Sequence, residues 1–227
     1  MVLAEASPLV PIPSIGEPRH YTTIRLENYS DPKNYTQYAK KNTGGLIIYW
    51  NNKFDKILES RGYSVSNSGA DPSSFSRPCI GVKLIHKNSG KIYNVIGVHL
   101  GHDMRKKKYI GAMNKILMEM SYQQGEEIII MGDHNELYEG SNPKINNFEI
   151  LGTRLELKTI NNGGVPDGTC CGIDSRDDHP GFYYRPFDLA YSNIPNLRMR
   201  VLPTPKTTPD RDSDHSDHYP IVGTFSI

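Results

Sequence analysis

What most constrains this chain is a succession of short, β-rich runs, each closed by Gly, Pro or Asn, set against one clear helical pattern. The runs are "VLA" near the start, "GLIIYW" (45–50), "CIGVKLI" (79–85), "KIYNVIGVHL" (91–100), "EIIIM" (127–131), "RPFDLAYS" (185–192), "RMRVL" (198–202) and "PIVGTFSI" (220–227). Branched and aromatic side chains suit a pleated, half-buried surface and Gly, Pro and Asn interrupt it, so this punctuation predicts strands joined by turns. "HKNSGK" between two of the runs predicts a hairpin. In "MRKKKYIGAMNKILMEMSYQQG", Ile110, Met113, Ile116, Leu117 and Met120 recur at helical spacing, with Gly125 as the expected stop. Its "RKKK" start reads as a solvated face, with phosphate contact as the alternative. A weaker helix is predicted over "PKNYTQYAKK" (32–41). Many strands and few helices exclude a bundle. They point to an α+β (mixed α/β) protein of sheets packed on sheets with helices outside. The 227 residues show no linker or repeat, so 1–227 reads as one domain with a substantial core.

Lys+Arg 26 against Asp+Glu 25 leaves a net charge of +1, so the broad positive footprint of a nucleic-acid coating protein is absent. A local binding patch remains open. There is no apolar run long enough to cross a membrane, and "MVLAEASPLVPIPS" lacks the basic and apolar regions of a signal peptide. Cys79, Cys170 and Cys171 cannot all pair with one another, and two of them are adjacent. They read as reduced thiols in an intracellular protein, cytoplasmic or nuclear. No CxxC pair exists to suggest zinc.

Ionisable residues gather at the ends of four strand patterns. "GVHLGHD" ends an apolar run in His99, with His102 and Asp103 following. "IIIMGDHNE" runs four apolar residues into Gly132, Asp133, His134, Asn135 and Glu136. "RPFDLAYS" inserts Asp188 into an otherwise apolar strand, and "RDSDHSDHYPIVGTF" places two Asp-His pairs just before the last strand. A carboxylate in a buried strand needs a strong partner, and a histidine such as His215 or His218 suits Asp188. Asp133 and Asn135 share a face if the strand continues that far, so both can contact one water, phosphate oxygen or metal. Oxygen donors with few sulfurs favour a hard cation, Mg²⁺ or Mn²⁺. Singly, each cluster also fits a structural histidine or a polar turn; the pattern repeated four times is harder to obtain from turns alone.

These residues resemble the endonuclease/exonuclease/phosphatase superfamily, the deoxyribonuclease-like fold. "IIIMGDHN" is similar to its "GDxN" strand, "SDHYPIVGTF" to its closing "SDHxP" strand, and "RPFDLAYSN" to the strand supplying the Asp of an Asp-His dyad. "NVIGVHL" and "GGLIIYWNNKF" resemble two further family strands, in order, from about residue 44 to the C-terminus. "VLAEAS" is similar to the "lQEv" strand, with Ala4 where the family carries Gln. The resemblance implies a four-layer α/β/β/α sandwich of two packed, mainly antiparallel sheets. Members carry one more strand upstream, with an Asn near the metal, and none precedes Met1. The first strand is therefore expected upstream of this sequence, supplied by another chain, or lost in a degraded relative; an upstream extension would also leave secretion open.

The resemblance implies Mg²⁺- or Mn²⁺-dependent hydrolysis of a phosphoester by an activated water. Asp133 would orient or deprotonate the water and Asn135 hold a phosphate oxygen. His218, set by Asp188, would stabilise the developing charge. Glu5 and Asp217 would ligate the metal. His99 falls where members contact phosphate, His102 just beyond that strand end is expected to contact substrate, and Arg77 matches an Arg that reaches the substrate phosphate in some branches. Asp217 and His218 are chosen over Asp214 and His215 because they directly precede Tyr219-Pro220. His134 replaces a usually apolar residue; on a strand it points away from Asp133 and reads as structural, capping the sheet edge, with a metal or substrate contact as the alternative. The expected substrate is DNA or RNA, with a phosphoinositide or other small phosphoester as alternative. An inactive binding module of the same fold is the competing reading.

Overall fold

The computed structural model describes residues 2–4, 19–24, 46–64, 77–100, 106–134, 138–139, 142–143, 145–161, 188–201 and 221–226; at several strand ends, Arg77 among them, only the backbone is described. In chain order the elements are β1 (Val2–Ala4), β2 (Arg19–Ile24), β3 (Leu46–Asn51), β4 (Phe54–Ser64), β5 (Arg77–His86), β6 (Ile92–His99), α1 (Lys106–Glu119) and β7 (Glu127–Asp133). Then follow β8 (Tyr138–Glu139), β9 (Asn142–Pro143), β10 (Asn147–Ile150), β11 (Thr153–Leu157), β12 (Ile160–Asn161), β13 (Asp188–Ser192), β14 (Arg198–Val201) and β15 (Ile221–Thr224).

The strands form a six-stranded sheet, β12-β14-β15-β1-β3-β2, a seven-stranded sheet, β10-β11-β13-β7-β6-β5-β4, and the small pair β8-β9. Pairing is antiparallel except for β6 with β7 and β12 with β14. Period-two alternation divides the apolar side chains between two cores. Ile80, Val82, Leu84, Ile129, Met131 and Ala190 of the larger sheet meet Val2, Leu46, Ile48 and Ile221 of the smaller one. On the outer face Ile96, Val98, Ile128, Ile130, Leu189 and Tyr191 meet α1. The expected α+β arrangement of two packed, mainly antiparallel sheets is therefore present, with α1 outside the larger sheet; among the described residues no helix covers the smaller one, the fourth layer of the expected α/β/β/α sandwich. The helix expected over 32–41 lies outside the described residues.

α1 buries Tyr109, Met113, Ile116 and Leu117 against the sheet, joined by Met120 just past its end, while Ile110 is only half-buried. Burying side chains of this size is worth about 1.5–3 kcal/mol each, before conformational entropy is charged. Lys107 and Lys108 are exposed at its start, as a solvated face requires. The helix stops earlier than Gly125. Ser121 adopts φ of 53°, its N–H donates to the Met118 carbonyl, and the Tyr122 N–H donates to the Leu117 carbonyl. That is a Schellman termination with serine in the left-handed position. Lys83 Nζ also donates to the Ser121 carbonyl at 2.8 Å, placing a cation at the negative end of the helix dipole.

The predicted hairpin joins β5 to β6, with Gly90 at φ of 69° and its N–H on the His86 carbonyl at 2.8 Å. At the same end of the sheet Lys83 and Glu126 form a buried pair at 2.7 Å, and Asn94 Nδ2 donates to Glu126 Oε2 at 2.9 Å. Burial pushes the Glu126 carboxyl up, but the hydrogen bonds from Lys83, Asn94 and the Gln123 N–H outweigh it and hold it below the usual range. No helix among the described residues is long and apolar enough to cross a membrane.

Candidate active site

β7 lies between β6 and β13 at the centre of the larger sheet. The register sets His99 of β6 and Asp188 of β13 level with Asp133 of β7. Met131 and Ala190, two residues from Asp133 and Asp188, belong to the inter-sheet core, so both carboxylates face the smaller sheet. His99 joins them: its Nε2 is 3.3 Å from Asp133 Oδ2, with both side chains at most 2% exposed. Asp188 is equally buried. The strand patterns thus deliver three of the expected site residues to one end and one face of a single sheet.

This grouping is electrostatically demanding. Level residues on one face of an antiparallel pair hold their Cβ atoms about 4.5–5.5 Å apart. Two carboxylates there repel unless positive charge or donors compensate. The imidazole of His99 flanks Asp133 on the side opposite Asp188 and can serve as a donor to it. The smaller sheet covers the group, since β1 packs over β6 and β7.

Two local devices hold the geometry. Gly132 has φ of +133°, and a Cβ at this position would fall 2.3 Å from the Val98 carbonyl oxygen, so only glycine lets β7 lie this close to β6 just before Asp133. On the other flank the Ser192 hydroxyl donates to the Ile128 carbonyl at 2.6 Å and accepts the Ile194 N–H at 3.0 Å. The Ile128 N–H donates to Asn193 Oδ1 at 2.7 Å, and Asn193 Nδ2 donates to the Glu126 carbonyl at 3.2 Å. These bonds pin the register of β13 on β7. A one-residue slip would turn Asp188 to the helix side.

Neither a family model nor a curated protein matches the chain. Solved structures do match its fold. An endonuclease/exonuclease/phosphatase family protein from Bacteroides thetaiotaomicron superposes with TM-score 0.54 at 15% identity, over 89% of this chain and 74% of the other. A mannosyl-6-phosphatase from the same organism gives 0.53 at 15% identity, over 91% and 77%. A functionally unknown conserved protein from Enterococcus faecalis gives 0.52 at 18% identity, over 91% and 77%. The chain has the endonuclease/exonuclease/phosphatase fold.

Within this fold, the remaining predicted residues divide by what is described. Arg77 opens β5 beside the end of β6 that carries His99, and its side chain lies outside the described residues. Asn135, His102, His218, Glu5 and Asp217 also lie outside them. Among the described residues no group of three His, Cys, Asp or Glu side chains is arranged to hold a metal ion. The carboxylates of Asp133 and Asp188 leave the described part of the site rich in oxygen, the donor type a hard cation prefers.

His134 is not at the sheet edge. It is fully buried behind Asp133, edge-on to Tyr109 and Tyr191 at ring-centroid distances of 5.6 and 5.4 Å. The alternation that sends Asp133 inward sends the next side chain outward, beneath the helix. Burial depresses its pKa from 6.5 to about 4, although the Gly132 hydrogen bond and the Asp188 carboxyl pull the other way. Burial likewise pushes the Tyr191 hydroxyl up and that of Tyr109 well above its usual value. The ring is therefore neutral at physiological pH. Sequence reasoning passed over Gly132, Ser192 and Asn193 as positioning residues. "GD" and "YSN" were visible, but their tasks depend on which strand lies alongside.

Proposed function

We propose that the protein is a metal-dependent phosphoester hydrolase, acting on the phosphodiester bonds of DNA or RNA. The observation that carries this reading is the level set of His99, Asp133 and Asp188, buried on one face of the sheet in a fold shared with a phosphatase. Asp133 takes the proton from the attacking water, and His99 Nε2 steadies its carboxylate from the opposite side. Asp188 orients His218, whose imidazole donates to the phosphoryl oxygen as charge accumulates. Asn135 holds a second phosphoryl oxygen, and Arg77 at the start of β5 and His102 beyond the end of β6 serve as further phosphate contacts. Glu5, one residue beyond β1, and Asp217, four residues before β15, would hold Mg²⁺ or Mn²⁺, which supplies charge neutralisation at the phosphate. Buried Cys79 fits a reducing, intracellular setting.

The test is cleavage of supercoiled plasmid and of RNA with Mg²⁺, with EDTA as the control. Asp133→Ala and His218→Ala should each abolish cleavage, and activity surviving both would overturn the mechanism. A second reading, hydrolysis of a small phosphomonoester, is favoured by the fold match to the mannosyl-6-phosphatase and by the near-neutral net charge of +1. Phosphate release from a sugar phosphate, without plasmid or RNA cleavage, would select it. Absence of both activities and of Mg²⁺ or Mn²⁺ binding by calorimetry would leave a binding module of the same fold.

A further inference from the structure

We infer that His134 is a positioning residue that locks the backbone around Asp133. What Asp133 then does rests on the hydrolase reading above; how Asp133 is held does not.

An imidazole in this aromatic surround is a costly filler. Phe or Leu would occupy the space without desolvating two polar nitrogens, so the histidine is sustained only if both are bonded. Both are. Nδ1 is 2.7 Å from the Gly132 carbonyl oxygen and Nε2 is 3.2 Å from the Tyr109 hydroxyl. A carbonyl only accepts, so Nδ1–H donates to Gly132, which leaves Nε2 to accept from the Tyr109 O–H. The two partners together select one neutral tautomer.

The bonded carbonyl belongs to the Gly132–Asp133 peptide. On the other side of the same residue, the Asp133 carbonyl accepts the Leu100 N–H at 2.9 Å. The peptides before and after Asp133 are thus each held, one by His134 from behind and one by the strand alongside. Gly132 at φ of +133° occupies a sparsely populated conformation that its surroundings must maintain. Tyr109 ties the clamp to the first turn of α1, where it packs on Phe148 at 5.3 Å. With the backbone fixed on both sides, the Asp133 carboxylate keeps its direction toward His99.

Three variants separate positioning from packing. His134→Phe keeps the ring and loses both hydrogen bonds. His134→Asn offers an amide N–H close to the place of Nδ1. Tyr109→Phe removes only the hydroxyl that selects the tautomer. With Mg²⁺ and bis(p-nitrophenyl) phosphate as probe, His134→Phe should lower kcat about 10- to 100-fold, with KM within about twofold of wild type. His134→Asn should recover most of the loss. Amide hydrogen exchange at Leu100 supplies a readout independent of activity: exchange should quicken in His134→Phe and Tyr109→Phe and stay slow in His134→Asn. Unchanged Leu100 exchange, or full kcat, in His134→Phe overturns the inference. If His134→Phe does not fold, unchanged exchange in Tyr109→Phe overturns it. A wild-type chain inactive on every phosphoester but showing the predicted exchange pattern sinks the hydrolase reading and leaves the positioning role standing.

Discussion

Acid should destabilise this protein through His134. In the unfolded chain its imidazole protonates near 6.5, whereas in the fold it stays neutral until about 4. Between those values unfolding takes up a proton, so stability falls as pH falls through the window and is undiminished above it. At about 1.4 kcal/mol per pH unit, the interval amounts to about 3 kcal/mol by the acid end. Against a net domain stability of about 5–15 kcal/mol, that is a large fraction. The cause is the same burial that makes the residue a rigid support: the ring lies edge-on to Tyr109 and Tyr191, which pack in turn on Phe148, with Asp188 as the acidic group whose influence partly opposes the shift. The assay is urea unfolding followed by circular dichroism, from about pH 7.5 to about pH 4.5, on wild type and His134→Phe. The phenylalanine cannot titrate. The variant should be the less stable at neutral pH, because the Gly132 carbonyl loses its donor, and the two curves should converge on acidification. Curves that stay parallel across the window would refute the reasoning, since any other titrating group contributes equally to both proteins.

Gly132→Ala should cost at least about 2 kcal/mol, because its methyl would meet the Val98 carbonyl; an unchanged denaturation midpoint would contradict the close approach. Lys83→Met leaves Glu126 buried without its cation and should cost about 3–5 kcal/mol, while Lys83→Met with Glu126→Leu should recover most of that in the same measurement. Because the folded Glu126 carboxyl is held below its ordinary 4.5, its contribution is present above that pH and is lost as pH falls further. The Lys83→Met variant should accordingly lose less stability than wild type on strong acidification.

The elements most legible in the sequence are those whose signal is local. β5, β6, β7, β13 and α1 announce themselves because a run of Ile and Val, or an apolar spacing of three and four, is set by the element's own period. β4 did not. It is an edge strand with a bulge between Lys56 and Leu58, so Ile57 and Leu58 stand exposed and the alternation is broken. β2, "RHYTTI", is too polar to rise above the background. The end of α1 was misplaced for a related reason. Gly125 has the right residue type, but the chain turns at Ser121, where the Leu117 and Met118 carbonyls could be satisfied first.

By itself the sequence determined that Asp133 and Asp188 stand on strands and that His99 ends one. It also determined which faces alternate and that the site carries oxygen and imidazole donors. Those properties follow from side-chain chemistry and a two-residue period, both readable along one segment. Only the tertiary structure decided that the three residues stand level. His99 and Asp133 meet because β6 and β7 pair in parallel across an intervening helix, and Asp188 joins them because Ser192 and Asn193 fix a register between segments far apart in the chain. The role of His134 was decided there too. Whether an imidazole after "GD" reaches the substrate, the sheet edge or the core depends on what packs behind the strand, and here that is Tyr109, contributed by α1.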